Sequence, residues 1–212
     1  MKYKAVLFDF DGTLADTLPV CFYSFQTIFK KYDGRTLSKK EMIEMFGPSE
    51  TGIIEQNLQN KEIMTEAIED YYSCYEREHC NLVRMNEEII YMIEHLRKRK
   101  ISIGIVTGKA RKSLEISLKH LFLSEFYKVA ISGDDVVNPK PHPEGINKAL
   151  KILGISPQNT LYVGDSNADI EAGKRADVET AGVNWLINSH GSAFTIKPDY
   201  EFSSITDFMK IF

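Results

Sequence analysis

The sequence predicts an α/β protein, with a doubly wound, Rossmann-like, mostly parallel sheet as its core and an inserted α-helical cap domain. From about residue 86 onward, short β-branched runs alternate with amphipathic helical stretches, which is typical of parallel βαβ units. Residues 16–85 instead show helical periodicity throughout. The 212 residues suffice for a domain that carries an insertion. We therefore assign residues 1–15 and 86–212 to the core and residues 16–85 to the cap.

The first predicted strand ends in two carboxylates, Asp9 and Asp11, followed by Gly12. Burying a bare carboxylate costs several kcal/mol unless a cation or hydrogen-bond donors compensate it. Asp9 lies between Phe8 and Phe10, so it indicates a compensating partner, most simply a divalent metal ion. A strand followed by an ordinary Asp-Gly turn is the alternative. The strands are predicted over residues 5–10, 101–107, 129–132, 161–164 and 180–184.

The cap is predicted as four helices, over residues 17–32, 38–46, 49–60 and 61–80. Asp33-Gly34 and Gly47-Pro48 mark turns between them. In the last helix Ile63, Ala67 and Tyr71 recur every four residues, and this apolar face needs a partner helix. A helical block inserted directly after the first strand indicates a cap at the active edge of the sheet.

Two motifs at the ends of later strands suit a phosphoryl group, since ligands of open α/β sheets bind at the carboxyl ends of the strands. Thr107 and Gly108 offer a hydroxyl and backbone N–H groups next to a predicted helix start. The alternative for Thr107 is a helix N-cap. Lys140 lies between Pro139 and Pro141, which restrict its direction, so it suits charge balance in a site. A solvated lysine in an extended linker is the alternative.

A second carboxylate pair, Asp165 and Asp169, follows the strand at residues 161–164. The spacing places Asp169 one helical turn after Asp165 on the same side. Oxygen ligands of this kind suit a hard cation such as Mg²⁺. Either carboxylate could instead cap a helix that starts near Ser166, but a single cap would not need both.

Composition excludes several partners. The net charge of −4 provides no basic excess for a nucleic-acid backbone, so we expect no nucleic acid. Cys21, Cys74 and Cys80 are odd in number and lack paired C-x-x-C spacing, which favours free thiols in a reducing compartment. No stretch reaches membrane-spanning length. We therefore expect a cytoplasmic protein without a membrane partner, as a monomer or a weak dimer.

Four motifs occur together in a known order and spacing: residues 9–13 (DFDGT), Thr107, Lys140 and residues 164–169 (GDSNAD). In these motifs the chain resembles the haloacid dehalogenase-like hydrolase superfamily, in its phosphoglycolate phosphatase-like branch with a helical cap. The resemblance spans the core. It implies a Mg²⁺-dependent phosphatase that hydrolyses a small phosphorylated metabolite through an aspartyl-phosphate intermediate.

The resemblance also implies a role for each acidic residue. Asp9 would be the nucleophile that attacks phosphorus, and Asp11 would donate a proton to the leaving oxygen and later activate water. Mg²⁺ would be held by the Asp9 carboxylate, the Asp11 backbone carbonyl and Asp165. Asp169 would act through water or orient the other ligands.

The remaining core residues would contact the phosphoryl group. The resemblance implies that Thr107 and the Gly108 amide grip its oxygens, while Lys140 neutralises charge in the transition state. A phosphosugar mutase of the same superfamily is one alternative. A receiver-like phosphoacceptor module is another, although such modules place the acceptor after a later strand, whereas Asp9 ends the first. The substrate stays open among phosphoglycolate, sugar phosphates, nucleotides and pyrophosphate.

The cap is expected to select the substrate, because it closes over the sheet edge and faces the leaving group. Its break at residues 47–52 contains two glycines that permit a loop to reach into the cleft. We therefore predict that Ser49, Glu50 and Thr51 contact the substrate. An ordinary helix–helix turn capped by Ser49 is the alternative.

Overall fold

The computed structural model describes residues 2–189 and 193–212, and within them six strands form one sheet. The strand order is β3-β2-β1-β4-β5-β6, and every neighbouring pair is parallel. This is the doubly wound order, with β1 at the point where the winding reverses. The predicted fold class is confirmed. The strands are β1 Ala5–Phe8, β2 Ser102–Val106, β3 Val129–Ile131, β4 Thr160–Gly164, β5 Glu179–Val183 and β6 Tyr200–Phe202.

Nine α-helices lie in the described residues, four of them between β1 and β2 in the stretch predicted as the cap. Predicted and observed helix ends differ by one to three residues in most cases. The helices are α1 Leu18–Asp33, α2 Lys39–Glu44, α3 Glu50–Asn57, α4 Met64–Leu82, α5 Glu87–Lys98, α6 Arg111–His120, α7 Glu144–Leu153, α8 Asn167–Arg175 and α9 Ile205–Met209.

The central strand β1 is buried on both faces, as its uninterrupted apolar sequence requires. It pairs with β2 on one side and β4 on the other, with Leu7 opposite Gly104 and Tyr162. The carboxyl ends of these three strands therefore meet at one edge. Asp9, Thr107 and Asp165 each follow one of these strands.

The helices of the predicted cap pack on one another and on the core. Helix α1 packs against α4, where the rings of Phe25 and Tyr71 lie 4.7 Å apart between centroids. Helix α4 also packs against α6, where the hydroxyl groups of Tyr75 and Ser117 lie 2.7 Å apart. The apolar face predicted for this helix thus has partners. The division into a core and a cap domain stays a prediction.

The carboxyl-terminal segment contains β6, which was not predicted from the sequence. It has three residues and only half-buried side chains at two of them, so its hydrophobic pattern is too short to indicate a strand. Ser204 begins α9 by accepting a hydrogen bond from the Asp207 N–H, and Phe208 in that helix is buried. In the described part of the chain, no helix has the length and apolar character to cross a bilayer.

Candidate active site

Asp9 lies directly after the central strand, and its N–H donates to the Val163 carbonyl at 2.8 Å. This bond extends the hydrogen-bond ladder between β1 and β4 by one residue, so Asp9 lies at the carboxyl-terminal edge of the sheet. The residue is 7% exposed, and its Oδ1 lies 2.9 Å from Lys140 Nζ. Burial raises the pKa of Asp9 to about 7, since the opposing effect of Lys140 is countered by the neighbouring carboxylates of Asp169 and Asp165.

Lys140 joins Asp9 to a second carboxylate, because its Nζ also donates to Asp169 Oδ1 at 2.6 Å. Asp169 is fully buried and accepts further bonds from Tyr162 Oη at 3.0 Å and from the Ser166 N–H and hydroxyl. Burial lowers the pKa of Lys140, but Asp169 and Asp9 outweigh it and hold the pKa well above its ordinary value. Asp169 therefore fixes the ammonium beside Asp9 and caps α8 together with Ser166.

Three buried carboxylates form a cluster at the sheet edge. Asp9, Asp165 and Asp169 each offer an oxygen, and these atoms lie within 4.8 Å of one another. Gly12 permits this approach, because its φ is +77° and a Cβ there would lie 2.1 Å from Asp165 Oδ2. One ammonium faces three carboxylates here, so the cluster needs more positive charge. An oxygen donor set with excess negative charge fits Mg²⁺.

The carboxyl group of Asp11 points elsewhere. Thr17 Oγ1 donates to Asp11 Oδ1, and Lys109 Nζ lies 3.1 Å from the same oxygen. The carboxyl is not among those of the cluster. It is partly exposed, at 19% of the side chain, so it can reach a bound molecule. This position suits a proton donor and leaves only the backbone carbonyl of Asp11 as a candidate metal ligand.

Thr107 and Gly108 follow β2 beside this cluster. The Thr107 N–H donates to the Ile131 carbonyl at 2.9 Å, and its hydroxyl accepts from the Lys109 N–H at 3.2 Å. The N-cap of α6 is Ala110, so the alternative of Thr107 as a helix cap is wrong. A Cβ on Gly108 would meet nothing within 4 Å, which means that open space adjoins its backbone.

Of the three residues predicted to contact the substrate, Glu50 is the one that lines the cavity described below. It is 5% exposed and accepts from Lys109 Nζ at 3.0 Å, Ser113 Oγ at 2.5 Å and the Ala110 N–H. These donors lie at the amino-terminal end of α6, where the helix dipole stabilises the negative charge of Glu50. Both of its oxygens are therefore engaged by the protein itself.

Ser49 and Thr51 lie outside the cavity lining given below. Ser49 is the N-cap of α3, although its side chain makes no capping hydrogen bond. The hydroxyl groups of Thr51 and Tyr72 lie 2.8 Å apart. Substrate contact by these two residues stays a prediction, without a contact in the structure that favours it.

Lys109 is the site residue that sequence reasoning missed. Its side chain is fully buried between Glu50 at 3.0 Å and Asp11 at 3.1 Å, with Cys21 Sγ at 3.4 Å. Burial lowers the pKa of Lys109, but Asp11, Cys21 and Glu50 outweigh it and hold the pKa well above its ordinary value. A lysine just before a helix is usually solvated, so no local signal indicated this burial.

A cavity of about 460 Å³ opens over these groups. Its lining combines the proposed catalytic residues with apolar side chains of α1 and of the segment around α3. The lining comprises Asp9, Asp11, Leu18, Cys21, Phe25, Phe46, Gly47, Pro48, Glu50, Ile53, Thr107, Gly108, Lys109, Lys140, Pro141, Ser166 and Ala168.

Comparison with known families gives one match over most of the chain: the model of haloacid dehalogenase-like hydrolases matches residues 6–183. Among curated relatives, the pyrophosphatase PpaX of Bacillus mycoides is 34% identical over 215 residues, covering 100% of this chain and 97% of the relative. The PpaX of Bacillus cereus is also 34% identical, over 211 residues, with the same coverage.

Solved structures share the fold. A predicted phosphoglycolate phosphatase from Haemophilus somnus superposes with a TM-score of 0.87 at 22% identity, covering 100% of this chain and 98% of that one. A β-phosphoglucomutase from Clostridium difficile superposes with a TM-score of 0.78 at 21% identity, covering 97% and 92%. At this identity the likeness concerns the arrangement of the backbone.

Proposed function

Since the chain belongs to the haloacid dehalogenase-like hydrolase family and is a phosphatase, we propose that it hydrolyses a small phosphorylated metabolite through a phosphoaspartate on Asp9. The observation that carries the proposal is the position of Asp9. It is buried at the active edge, 2.9 Å from Lys140, with Asp165 and Asp169 beside it and a cavity in front of it.

In the first step the Asp9 carboxylate attacks phosphorus, and the bond between phosphorus and the leaving oxygen breaks. Asp11 gives its proton to that oxygen, which leaves as an alcohol. In the second step Asp11 takes a proton from water, and the water oxygen displaces the Asp9 carboxylate from phosphorus. Inorganic phosphate is released and both aspartates return to their starting states.

The other residues hold the phosphoryl group. Lys140 faces its negative charge beside Asp9, and the Thr107 hydroxyl and Gly108 N–H are placed to bind its oxygens. Mg²⁺ would be held by Asp9, Asp165 and the Asp11 carbonyl, while Asp169 orients Lys140. When bound, the ion supplies positive charge to the phosphoryl oxygens.

The names of relatives and neighbours suggest pyrophosphate and phosphoglycolate as substrates to test first. The mutase alternative has support from shared fold alone. Membership in a hydrolase family gives the receiver-like alternative no support. Repeated turnover distinguishes an enzyme from a receiver, which would release about one phosphate per chain.

The test is phosphate release over a panel of phosphorylated metabolites with Mg²⁺, comparing the wild type with Asp9→Asn. The amide keeps the shape of the carboxylate but is a poor nucleophile, so we expect turnover to fall by about a thousandfold or more. Asp177→Asn is the matched control, because Asp177 is exposed and precedes β5 at the opposite end of the strand from the site. Wild-type turnover in Asp9→Asn would refute the mechanism.

A further inference from the structure

Both lysines that line the cavity already contact carboxyl groups. Lys140 contacts Asp9 and Asp169, and Lys109 contacts Asp11 and Glu50. Among the described lining residues there is no other lysine and no arginine. A bound molecule therefore meets no lysine or arginine side chain in this lining that a carboxyl group does not already contact.

Glu50 produces this balance at Lys109. The two residues are 59 positions apart in the sequence, and their contact forms where α3 meets the first turn of α6. Without the glutamate, the buried ammonium would keep Asp11 as its one carboxyl partner among the described residues, and Asp11 carries a proton when the proposed first step begins, so the ammonium would attract a second anionic group. With it, Lys109 has the Glu50 carboxylate at 3.0 Å, which balances its charge even while Asp11 is protonated.

Much of the remaining lining is apolar. The large apolar side chains are Leu18, Phe25, Phe46, Pro48 and Ile53. An anionic group placed among these side chains would lose its hydration without a partner, which costs far more than the burial of an apolar group. An apolar group placed there would be stabilised by leaving water.

We infer that Glu50 determines specificity, and that the preferred substrate is a phosphate monoester whose leaving group is uncharged and largely apolar. The inference rests on the proposed function, because it assumes that the phosphoryl group binds at Asp9. It separates this chain from a pyrophosphatase or a phosphoglycolate phosphatase, since both of those substrates place a second anion in the leaving group.

The first experiment compares two substrates of similar size, n-propyl phosphate and phosphoglycolate, in the wild type with Mg²⁺. The second carries a carboxylate where the first carries a methylene and a methyl group. We expect kcat/KM to be higher for n-propyl phosphate by about tenfold or more. Glycolate is the better leaving group chemically, so this preference can only come from the protein. A higher kcat/KM for phosphoglycolate or for pyrophosphate overturns the inference.

The second experiment uses Glu50→Gln, which removes the charge and keeps one oxygen to accept from the Ala110 N–H, while its amide N–H can donate to the Ser113 hydroxyl. The ratio of kcat/KM for phosphoglycolate to that for n-propyl phosphate should rise by about tenfold, since Lys109 gains attraction for the carboxylate. Glu55→Gln is the control, because Glu55 is exposed on the same helix. An unchanged ratio in a folded Glu50→Gln protein overturns the inference, and if the variant does not fold, the wild-type comparison decides.

These outcomes are separate from those that test the proposed function. If the wild type prefers pyrophosphate and Asp9→Asn is inactive, the specificity inference is refuted but the proposed phosphatase mechanism is not. A wild type whose activity on every ester survives in Asp9→Asn refutes the mechanism, and the specificity inference falls with it.

Discussion

His79 should make the stability of the fold depend on pH. It lies on α4 where that helix packs against α6 and is 1% exposed. Its Nε2 lies 3.0 Å from Ser117 Oγ, and its ring stacks on His120 at 5.0 Å between centroids. Burial lowers the pKa of His79 to about 4, and the nearby His120 and Lys109 add to the effect.

The sign follows from which state takes up the proton first. The pKa of His79 is 6.5 without the fold and about 4 within it, so the unfolded chain binds the proton as pH falls below 6.5. The stability contribution is complete above that pH and is lost down to about pH 4. Two and a half pKa units at about 1.4 kcal/mol each give a loss of at most about 3.5 kcal/mol.

Urea unfolding at pH 7 and pH 4.5 measures this loss, with His79→Gln as the variant. The glutamine can still form a hydrogen bond to Ser117 but does not titrate. From pH 7 to pH 4.5, the free energy of unfolding of His79→Gln should therefore fall by about 2 to 3 kcal/mol less than that of the wild type. The raised pKa of Asp9 acts in the opposite direction and is common to both proteins, so it cancels. His142→Gln, at an exposed histidine, is the control. Equal pH dependence in the wild type and His79→Gln would refute the reasoning.

Three further substitutions test the supports of the site. Gly12→Ala should abolish turnover and lower the free energy of unfolding in urea by about 1 to 3 kcal/mol, since φ at Gly12 is +77° and the added Cβ would meet Asp165. Wild-type turnover in this variant would contradict the prediction. Lys109→Met should lower the free energy of unfolding by about 3 to 5 kcal/mol, because Asp11 and Glu50 lose the ammonium that they share. A loss below about 1 kcal/mol would show that the fold does not depend on this buried ion pair. Ser166→Ala should cost about 1 kcal/mol by removing the α8 cap, against no change if the cap is redundant.

Much of the sheet could be predicted from the sequence because β1 to β5 are mostly buried runs, rich in apolar or β-branched residues and bounded by turn residues. The pattern also predicted which residues meet in the site, since the carboxyl ends of parallel strands lie at one edge of the sheet. Strand ends were less predictable. Strand β1 ends at Phe8 rather than at Phe10, because the chain turns after Asp9, where the N–H groups of Thr13, Leu14 and Ala15 all donate to the Phe10 carbonyl.

Within the site, the residues predicted from the sequence are those whose local neighbours restrict them. Lys140 lies between two prolines, and its ammonium reaches Asp9 and Asp169 as a rigidly presented charge should. Asp169 recurs one turn after Asp165, and Ser166 caps the same turn. In each case, spacing along the chain already limits where the side chain can point.

Lys109 and Glu50 show where such reasoning stops. Each has a plausible solvated role in its own segment, and their pairing exists only because α3 lies against the start of α6. That contact also decides the chemistry of the cavity, since a buried ammonium without a carboxylate partner attracts an anion, whereas one paired with Glu50 is already balanced. The motifs that predict phosphoryl transfer therefore lie in the strand ends of the core, whereas the residue that sets the leaving group comes from the inserted helices and takes effect only through the fold.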